Sequence, residues 1–186
     1  MDGIILAGGK STRMKQNKML LPVDGKPLIM HTIESMRPFV DRIIIVTGKY
    51  DKEIREALKN ENVIIVYNKD YELGMFSSVK TGVSQTQDDF FLIPGDCPFV
   101  NKSTYQKLLE GKGEIRVPSY LGEDGHPIYI SKIYKNEILN MSLDLNLKVF
   151  RDSHKYEIIN VEDKNIVNNI NKIDDYLSLN NLRKDG

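Results

Sequence analysis

The chain has 186 residues, of which 40% are hydrophobic and 28% charged, and its 26 Lys and Arg balance its 26 Asp and Glu. That length and composition predict one globular domain with a core large enough to need no covalent staples, and they exclude wholesale disorder. Zero net charge excludes a general electrostatic grip on nucleic acid, yet leaves room for a local cationic pocket for a phosphorylated small molecule. The single cysteine, Cys97, excludes an intrachain disulfide and a Cys-rich zinc site, and the three histidines are scattered. No apolar run approaches the ~20 residues of a membrane span. Residues 1–9 carry too short an apolar run, and no basic flank, for a secretion signal. The expectation is a soluble cytoplasmic protein with no membrane partner.

In chain order, short apolar runs alternate with amphipathic stretches. Ile4-Ile5-Leu6-Ala7 ends in two glycines, Ile43-Ile44-Ile45-Val46 is closed by Thr47-Gly48, Val63-Ile64-Ile65-Val66-Tyr67 follows, and Phe90-Phe91-Leu92-Ile93 is closed by Pro94-Gly95. Continuous β-branched runs suit strands buried on both faces of a parallel sheet. Helical spacing fills the gaps at 27–36, with Pro27 at the expected first position, and at 52–59, 76–83 and 101–109, the last behind a polar cap. The second half is less regular. Residues 115–117 and 128–130 read as strands around a glycine-containing loop at 122–125, 133–141 as a helix and 156–161 as a late strand. An Asn-, Lys- and Ile-rich tail from Asn165 is expected to end in a helix through Tyr176, Leu177 and Leu179. Strand–helix alternation predicts an α/β fold with right-handed crossovers.

Directly after the first strand comes Gly8-Gly9-Lys10-Ser11-Thr12-Arg13. In an open α/β sheet, ligands bind beyond the carboxyl ends of the strands. Two glycines let backbone N–H groups approach an anion, Ser11 and Thr12 add hydroxyl donors, and Lys10, Arg13, Lys15 and Lys18 add cations. This is polyphosphate-binding chemistry. It is neither the dinucleotide fingerprint, because the glycines are adjacent and unrepeated, nor the Walker loop, because Gly9 rather than Lys follows Gly8.

The run Leu6-Ala7-Gly8-Gly9-x-Ser11-x-Arg13-Met14-x-x-x-Lys18 resembles the signature of the nucleotidyltransferases that attach a nucleotide to molybdopterin. Its continuation, Leu20-Leu21-Pro22-Val23-Asp24-Gly25-Lys26-Pro27-Leu28, is similar to their cytidylyltransferase branch. One departure is Lys15, where that family commonly has Gly. The resemblance implies a single MobA-like NTP transferase domain over 1–186, with a nucleotide-binding half at 1–100 and an acceptor-binding half at 101–186. It also implies a three-layer α/β/α arrangement around a mostly parallel, Rossmann-like sheet of the nucleotidyltransferase (GT-A-like) kind. By the same resemblance Leu6, Ala7, Gly8, Gly9, Ser11, Arg13 and Lys18 bind the nucleotide.

Asp96, in Pro94-Gly95-Asp96-Cys97-Pro98, falls just past the fourth apolar run. A carboxylate beside a triphosphate is a natural Mg²⁺ ligand, and the resemblance places a metal at Gly-Asp-x-Pro. Cys97 reads as a small buried filler rather than a nucleophile. The family usually supplies a second metal ligand from an Asp-Ile-Asp stretch. Here Asn169-Ile170-Asn171 stands in its place, so Asn169 is the candidate second ligand. The segment from Gly74 to Gly82 resembles a family loop and helix, making Ser78 and Gly82 further nucleotide-binding candidates. Gly125-His126-Pro127 is similar to the cytidylyltransferase branch and makes His126 an acceptor-side candidate for the pterin or its phosphate. The branch's Gly-Asp-x-Gly-Ala motif is absent, and Leu143-Asp144-Leu145-Asn146-Leu147 stands near where it would be. The resemblance is strong over the first hundred residues and weak after Ser131.

The expected activity is Mg²⁺-dependent transfer of CMP from CTP to the phosphate of molybdopterin, releasing pyrophosphate. Arg13, Lys18 and Asp96 are its catalytic candidates. GTP as donor, a sugar phosphate as acceptor, and a non-catalytic cofactor-binding accessory protein are the alternatives. A molybdenum hydroxylase or its maturation factor is the implied protein partner.

Overall fold

The computed structural model describes residues 1–9, 17–168 and 170. Four strands form the parallel heart of the sheet: β1 (Asp2–Ala7), β4 (Arg42–Thr47), β5 (Ile64–Tyr67) and β6 (Phe90–Pro94). β1 lies at the centre, with β4 and then β5 on one side and β6 on the other, all parallel. Beyond β6 come β9 (Ile128–Ile130), antiparallel to it, then β7 (Ile115–Tyr120) and β10 (Glu157–Asn160). A short β8 (Glu123–Asp124) pairs with β7, and β2 (Pro22–Val23) and β3 (Lys26–Pro27) form a separate two-stranded ribbon.

Strand alternation divides the core. Ile5, Ile45, Phe91 and Ile93 point to one face, against Ile29, Ile33 and Met36 of α1 (Leu28–Met36), Ile54 of α2 (Asp51–Ala57), and Tyr105 and Leu108 of α4 (Lys102–Glu110). Ile4, Leu6, Ile44, Val46 and Leu92 point to the other face. They meet Phe76, Val79 and Val83 of α3 (Met75–Ser84), Ile138 of α5 (Lys135–Asn140) and Phe150 of α6 (Leu147–Asp152). Neighbouring residues on a strand thus bury opposite ways, which is why these runs are apolar throughout rather than alternating. The result is the three-layer α/β/α domain with a mostly parallel sheet.

Several expectations shift in detail. The run ending at Tyr67 is apolar, yet it forms a strand whose only partner among the described residues is β4, and Ile64 and Tyr67 are exposed. The loop expected at 122–125 contains β8, because Leu121 and Gly122 take positive φ (51° and 84°) and turn β7 back on itself. Asn101 precedes α4 without a side-chain cap; instead Asp163 accepts from the Asn101 backbone N–H (2.7 Å) and the Thr104 hydroxyl (2.8 Å). α6 is absent from the sequence reading; Asn146 caps it by accepting the Val149 N–H at 3.0 Å. The helix expected at 133–141 begins as a 3-10 turn, Lys132–Tyr134, before α5. The C-terminal helix expected through Tyr176 lies outside the described residues. No helix among the described residues is long and apolar enough to cross a membrane.

The chain path sets where a ligand can sit. From β1 the chain leads to β4 and β5 on one side, then crosses to β6 on the other and continues outward. β1 and β6 therefore flank a topological switch point, and a crevice opens beyond their carboxyl ends.

Candidate active site

β1 ends at Ala7, which is buried, and Gly8 and Gly9 leave the sheet at the crevice. β6 ends at Pro94, and the Gly95 N–H donates to the Leu6 carbonyl at 2.9 Å, tying the two strand ends together. The Cys97 N–H donates to Pro94 (3.1 Å) and the Thr32 hydroxyl to Gly95 (2.9 Å), fixing a tight turn that presents Asp96. Asp96 is 7% exposed and pairs with Lys18, which stands on the 3-10 turn Lys18–Leu20. That turn starts where Asn17 accepts the Met19 N–H at 3.1 Å. Burial, reinforced by the Asp96 charge, pushes the Cys97 thiol far up, so it is no nucleophile.

These strand ends border two cavities. The smaller, about 340 Å³, is lined by Gly8, Gly9, Lys18, Tyr71, Ser78 and Asp96, among others. Gly8 is required there by close approach: a Cβ at this position would stand 2.7 Å from the Ser78 hydroxyl. Ser78 sits in the first turn of α3 and is buried. The larger cavity, about 810 Å³, has an apolar floor that includes Phe76, Val79, Leu92 and Ile128. Its polar rim carries Asp124, His126, Asn146, Lys148 and Arg151. Arg151 bonds Asp124 at 3.1 Å, and its guanidinium lies 4.9 Å from the Tyr156 ring centroid. Leu6, Met75 and Pro94 line both cavities, so the two adjoin across a shared wall.

The structure brings Leu6, Gly8, Gly9, Lys18, Ser78 and Asp96 together around the smaller cavity. Gly82 stands apart from them: it faces the core, where a Cβ would meet Ile4 Cγ2 at 2.6 Å, so its smallness serves helix-on-strand packing. Ala7 belongs to the core beneath the loop. Ser11, Arg13 and Asn169 lie outside the described residues. Ile170, the next residue after Asn169, donates its N–H to the Asp96 carbonyl at 3.0 Å.

His126 lines the larger cavity, and its Nδ1 has no hydrogen-bond partner. Burial drives its pKa down to about 4, although the Asp96 charge and the Leu92 carbonyl favour the charged form. The ring is neutral at pH 7 and brings no positive charge to a phosphate. The cations lining that cavity are Lys148 and Arg151, which the sequence reading did not single out; Lys148 pairs with Asp152, and Arg151 with Asp124 and Asp152.

No group of three or more His, Cys, Asp or Glu converges among the described residues, so no cage of protein ligands is built there. Asp96 offers one buried carboxylate at the mouth of a cavity shaped by a glycine loop. That donor set fits a hard divalent cation completing its shell with phosphate oxygens.

A mostly parallel sheet with a glycine loop after its first strand, a carboxylate at the switch point and two adjoining cavities is the arrangement of an α/β protein suited to a phosphorylated ligand. The MobA-like NTP transferase domain matches residues 3–158, and the chain belongs to that family. It is 35% identical to the molybdenum cofactor cytidylyltransferase of Escherichia coli (strain K12), over 96% of this chain and 94% of that one. It is 31% identical to a probable molybdenum cofactor guanylyltransferase of Thermococcus sibiricus, over 76% of this chain and 72% of that one. The crystal structure of Rv0371c from Mycobacterium tuberculosis in complex with manganese shares the fold, with a TM-score of 0.80 at 23% identity over 97% of each chain.

Proposed function

We propose that the protein transfers CMP from CTP to the terminal phosphate of molybdopterin, with or without molybdenum, and releases pyrophosphate. The observation that carries this reading is the pair of cavities sharing Leu6, Met75 and Pro94. The smaller takes the nucleotide and the larger the acceptor, so the acceptor phosphate and the α-phosphorus meet at the shared wall. An acceptor phosphate oxygen forms a bond to the α-phosphorus. The bond from that phosphorus to the oxygen bridging to the β-phosphorus breaks, and pyrophosphate leaves with the electron pair.

Such transfer needs positioning and charge neutralisation more than a side-chain nucleophile. Gly8 and Gly9 lend backbone N–H groups, Ser78 a hydroxyl, and Lys18 a positive charge to the leaving phosphates. Ser11 and Arg13, outside the described residues, are assigned to the same phosphates by the sequence motif alone. Asp96, with Asn169 as the second ligand that the sequence motif suggests, would hold Mg²⁺. The ion, when bound, neutralises charge on the phosphate oxygens. The manganese complex of the mycobacterial neighbour is consistent with a divalent ion in this fold.

The apolar floor of the larger cavity, with Phe76, Val79 and Ile128, offers a surface for the face of a flat heterocycle, and its polar rim offers partners for the groups on the edge. CTP is favoured by 35% identity along nearly the whole chain to a cytidylyltransferase. GTP is the second reading, supported by the guanylyltransferase relative.

The test is pyrophosphate release with each nucleoside triphosphate, Mg²⁺ and molybdopterin, followed by mass analysis of the product. Release with CTP that depends on molybdopterin is expected. Release with GTP alone would move the donor assignment, and release with a sugar 1-phosphate would sink the acceptor. Binding of molybdopterin with no release from any triphosphate would favour an accessory role.

A further inference from the structure

Asn68 follows β5 and is 2% exposed, and the sequence reading gave it no role. Its backbone N–H donates to Thr47 at 3.0 Å, which seats it between β4 and α3. Its side-chain carbonyl accepts the Asp70 N–H at 3.0 Å. This fixes which end of the amide is which, because only the oxygen can accept. The amide nitrogen therefore faces α3, where it donates to the Ser77 hydroxyl at 2.8 Å and the Ser78 hydroxyl at 3.0 Å.

The two hydroxyls then differ. Ser77 spends its proton inward, on the carbonyls of Gly74 (2.7 Å) and Asp70 (2.9 Å). The Gly74 carbonyl, four residues before Ser78 and the usual outlet for a serine on a helix, accepts from Ser77 and makes no bond with the Ser78 hydroxyl. Ser78 accepts from Asn68 and has no other side-chain hydrogen bond among the described residues. It lines the smaller cavity against Gly8. A hydroxyl has one proton, and with a lone pair taken by Asn68 and no acceptor for it among the described residues, that proton is left for an acceptor in the cavity.

We infer that Asn68 is a positioning residue: it holds the Ser78 hydroxyl as a hydrogen-bond donor aimed at an oxygen of the nucleotide, a phosphate or a base carbonyl. The inference rests on the smaller cavity being the nucleotide site. Asn68 touches no substrate itself and acts through the serine.

Asn68→Asp keeps the shape but replaces the donor by an acceptor, so the Ser78 proton is drawn back to residue 68. Ser78→Ala removes the donor outright. Titration calorimetry with CTP, and with GTP in parallel, should show each variant binding the preferred nucleotide roughly tenfold more weakly, about the effect of one lost bond to a charged group. The double variant should be within about twofold of Ser78→Ala, because residue 68 has then lost what it acts through. An added negative charge or a general loosening of α3 would weaken binding in the Ser78→Ala background as well. Multiplying effects, near a hundredfold together, would overturn the inference, as would a folded Asn68→Asp protein that binds like the wild type. Should Asn68→Asp not fold, Asn68→Ala removes the donor without adding charge and replaces it in the cycle. Wild-type protein that binds neither nucleotide overturns the reading of the cavity itself, a result visible before any variant is made.

Discussion

The two cavities are built by different means. The smaller is walled by a glycine loop, a helix start and a strand-end turn, and its chemistry comes from backbone N–H groups, one serine and the Lys18–Asp96 pair. The larger is more than twice the volume and rests on side chains of α3, β6 and β9, with its cations brought in by α6 and its carboxylates by β8. Recognition of a phosphate chain needs a few donors at fixed spacing, and a short stretch of sequence can supply them. Recognition of a rigid acceptor needs a shaped surface, and here that surface joins residues as distant as Phe76 and Arg151. The first kind of site tolerates little change in its backbone. The second tolerates change in single side chains and shifts specificity with them.

Four experiments press on this contrast. Asp96→Asn should lower kcat at least a hundredfold in a protein that stays folded, because the metal that neutralises the developing phosphate charge loses its carboxylate ligand. Turnover within tenfold of wild type would end the assignment of Asp96.

The next largest effect is on stability. His126 has a folded pKa of about 4 against 6.5 for the free side chain. Below pH 6.5 the unfolded chain takes up a proton that the folded chain refuses, so stability falls as pH drops and the loss levels off below about pH 4. Urea unfolding should show about 2 kcal/mol less stability at pH 5 than at pH 7 from this residue. His126→Gln should flatten that part of the profile; an unchanged slope would mean the ring is not buried neutral.

Gly8→Ala should raise the KM for the nucleotide roughly tenfold, since its Cβ would press on the Ser78 hydroxyl and shift a hydrogen bond. Gly9→Ala, whose Cβ would meet nothing within 4 Å, should change it less than twofold. Equal effects would show that the loop is not held against α3. Arg151→Ala is the mirror experiment on the other side. It should raise the acceptor KM by about five- to tenfold and leave the nucleotide KM alone, the effect expected for one partly exposed charge contact. Movement of both constants would mean that the shared wall, not the rim, had changed.

The same contrast explains what the sequence disclosed. Buried parallel strands write themselves as unbroken apolar runs, so β1, β4 and β6 were legible, as was the glycine loop that β1 delivers. Asp96 was legible because a strand, a glycine and a proline frame it. Gly82 was read as a nucleotide contact because a small residue near a ligand loop looks the same as a small residue under a packed helix; only Ile4 at 2.6 Å decides between them. Asn68 had no motif of its own, and its role depends on which serine hydroxyl has already spent its proton. Lys148 and Arg151 were hidden because α6 is a six-residue helix whose capping by Asn146 is a local hydrogen bond, with no periodicity long enough to notice. Asp163 caps α4 from 62 residues away, a distance at which spacing rules say nothing.

The wall formed by Leu6, Met75 and Pro94 has one more consequence. On the proposed function each substrate enters its own compartment, and the joined product has a foot in both. When one foot lifts, the other keeps it close, and the effective concentration for rebinding is high. Pyrophosphate, confined to one compartment, has no such tether. On the proposed function, departure of the long product rather than bond formation is then expected to set the pace of the cycle. Mixing enzyme with both substrates should give a rapid burst of pyrophosphate, about one per active site, before a slower steady rate.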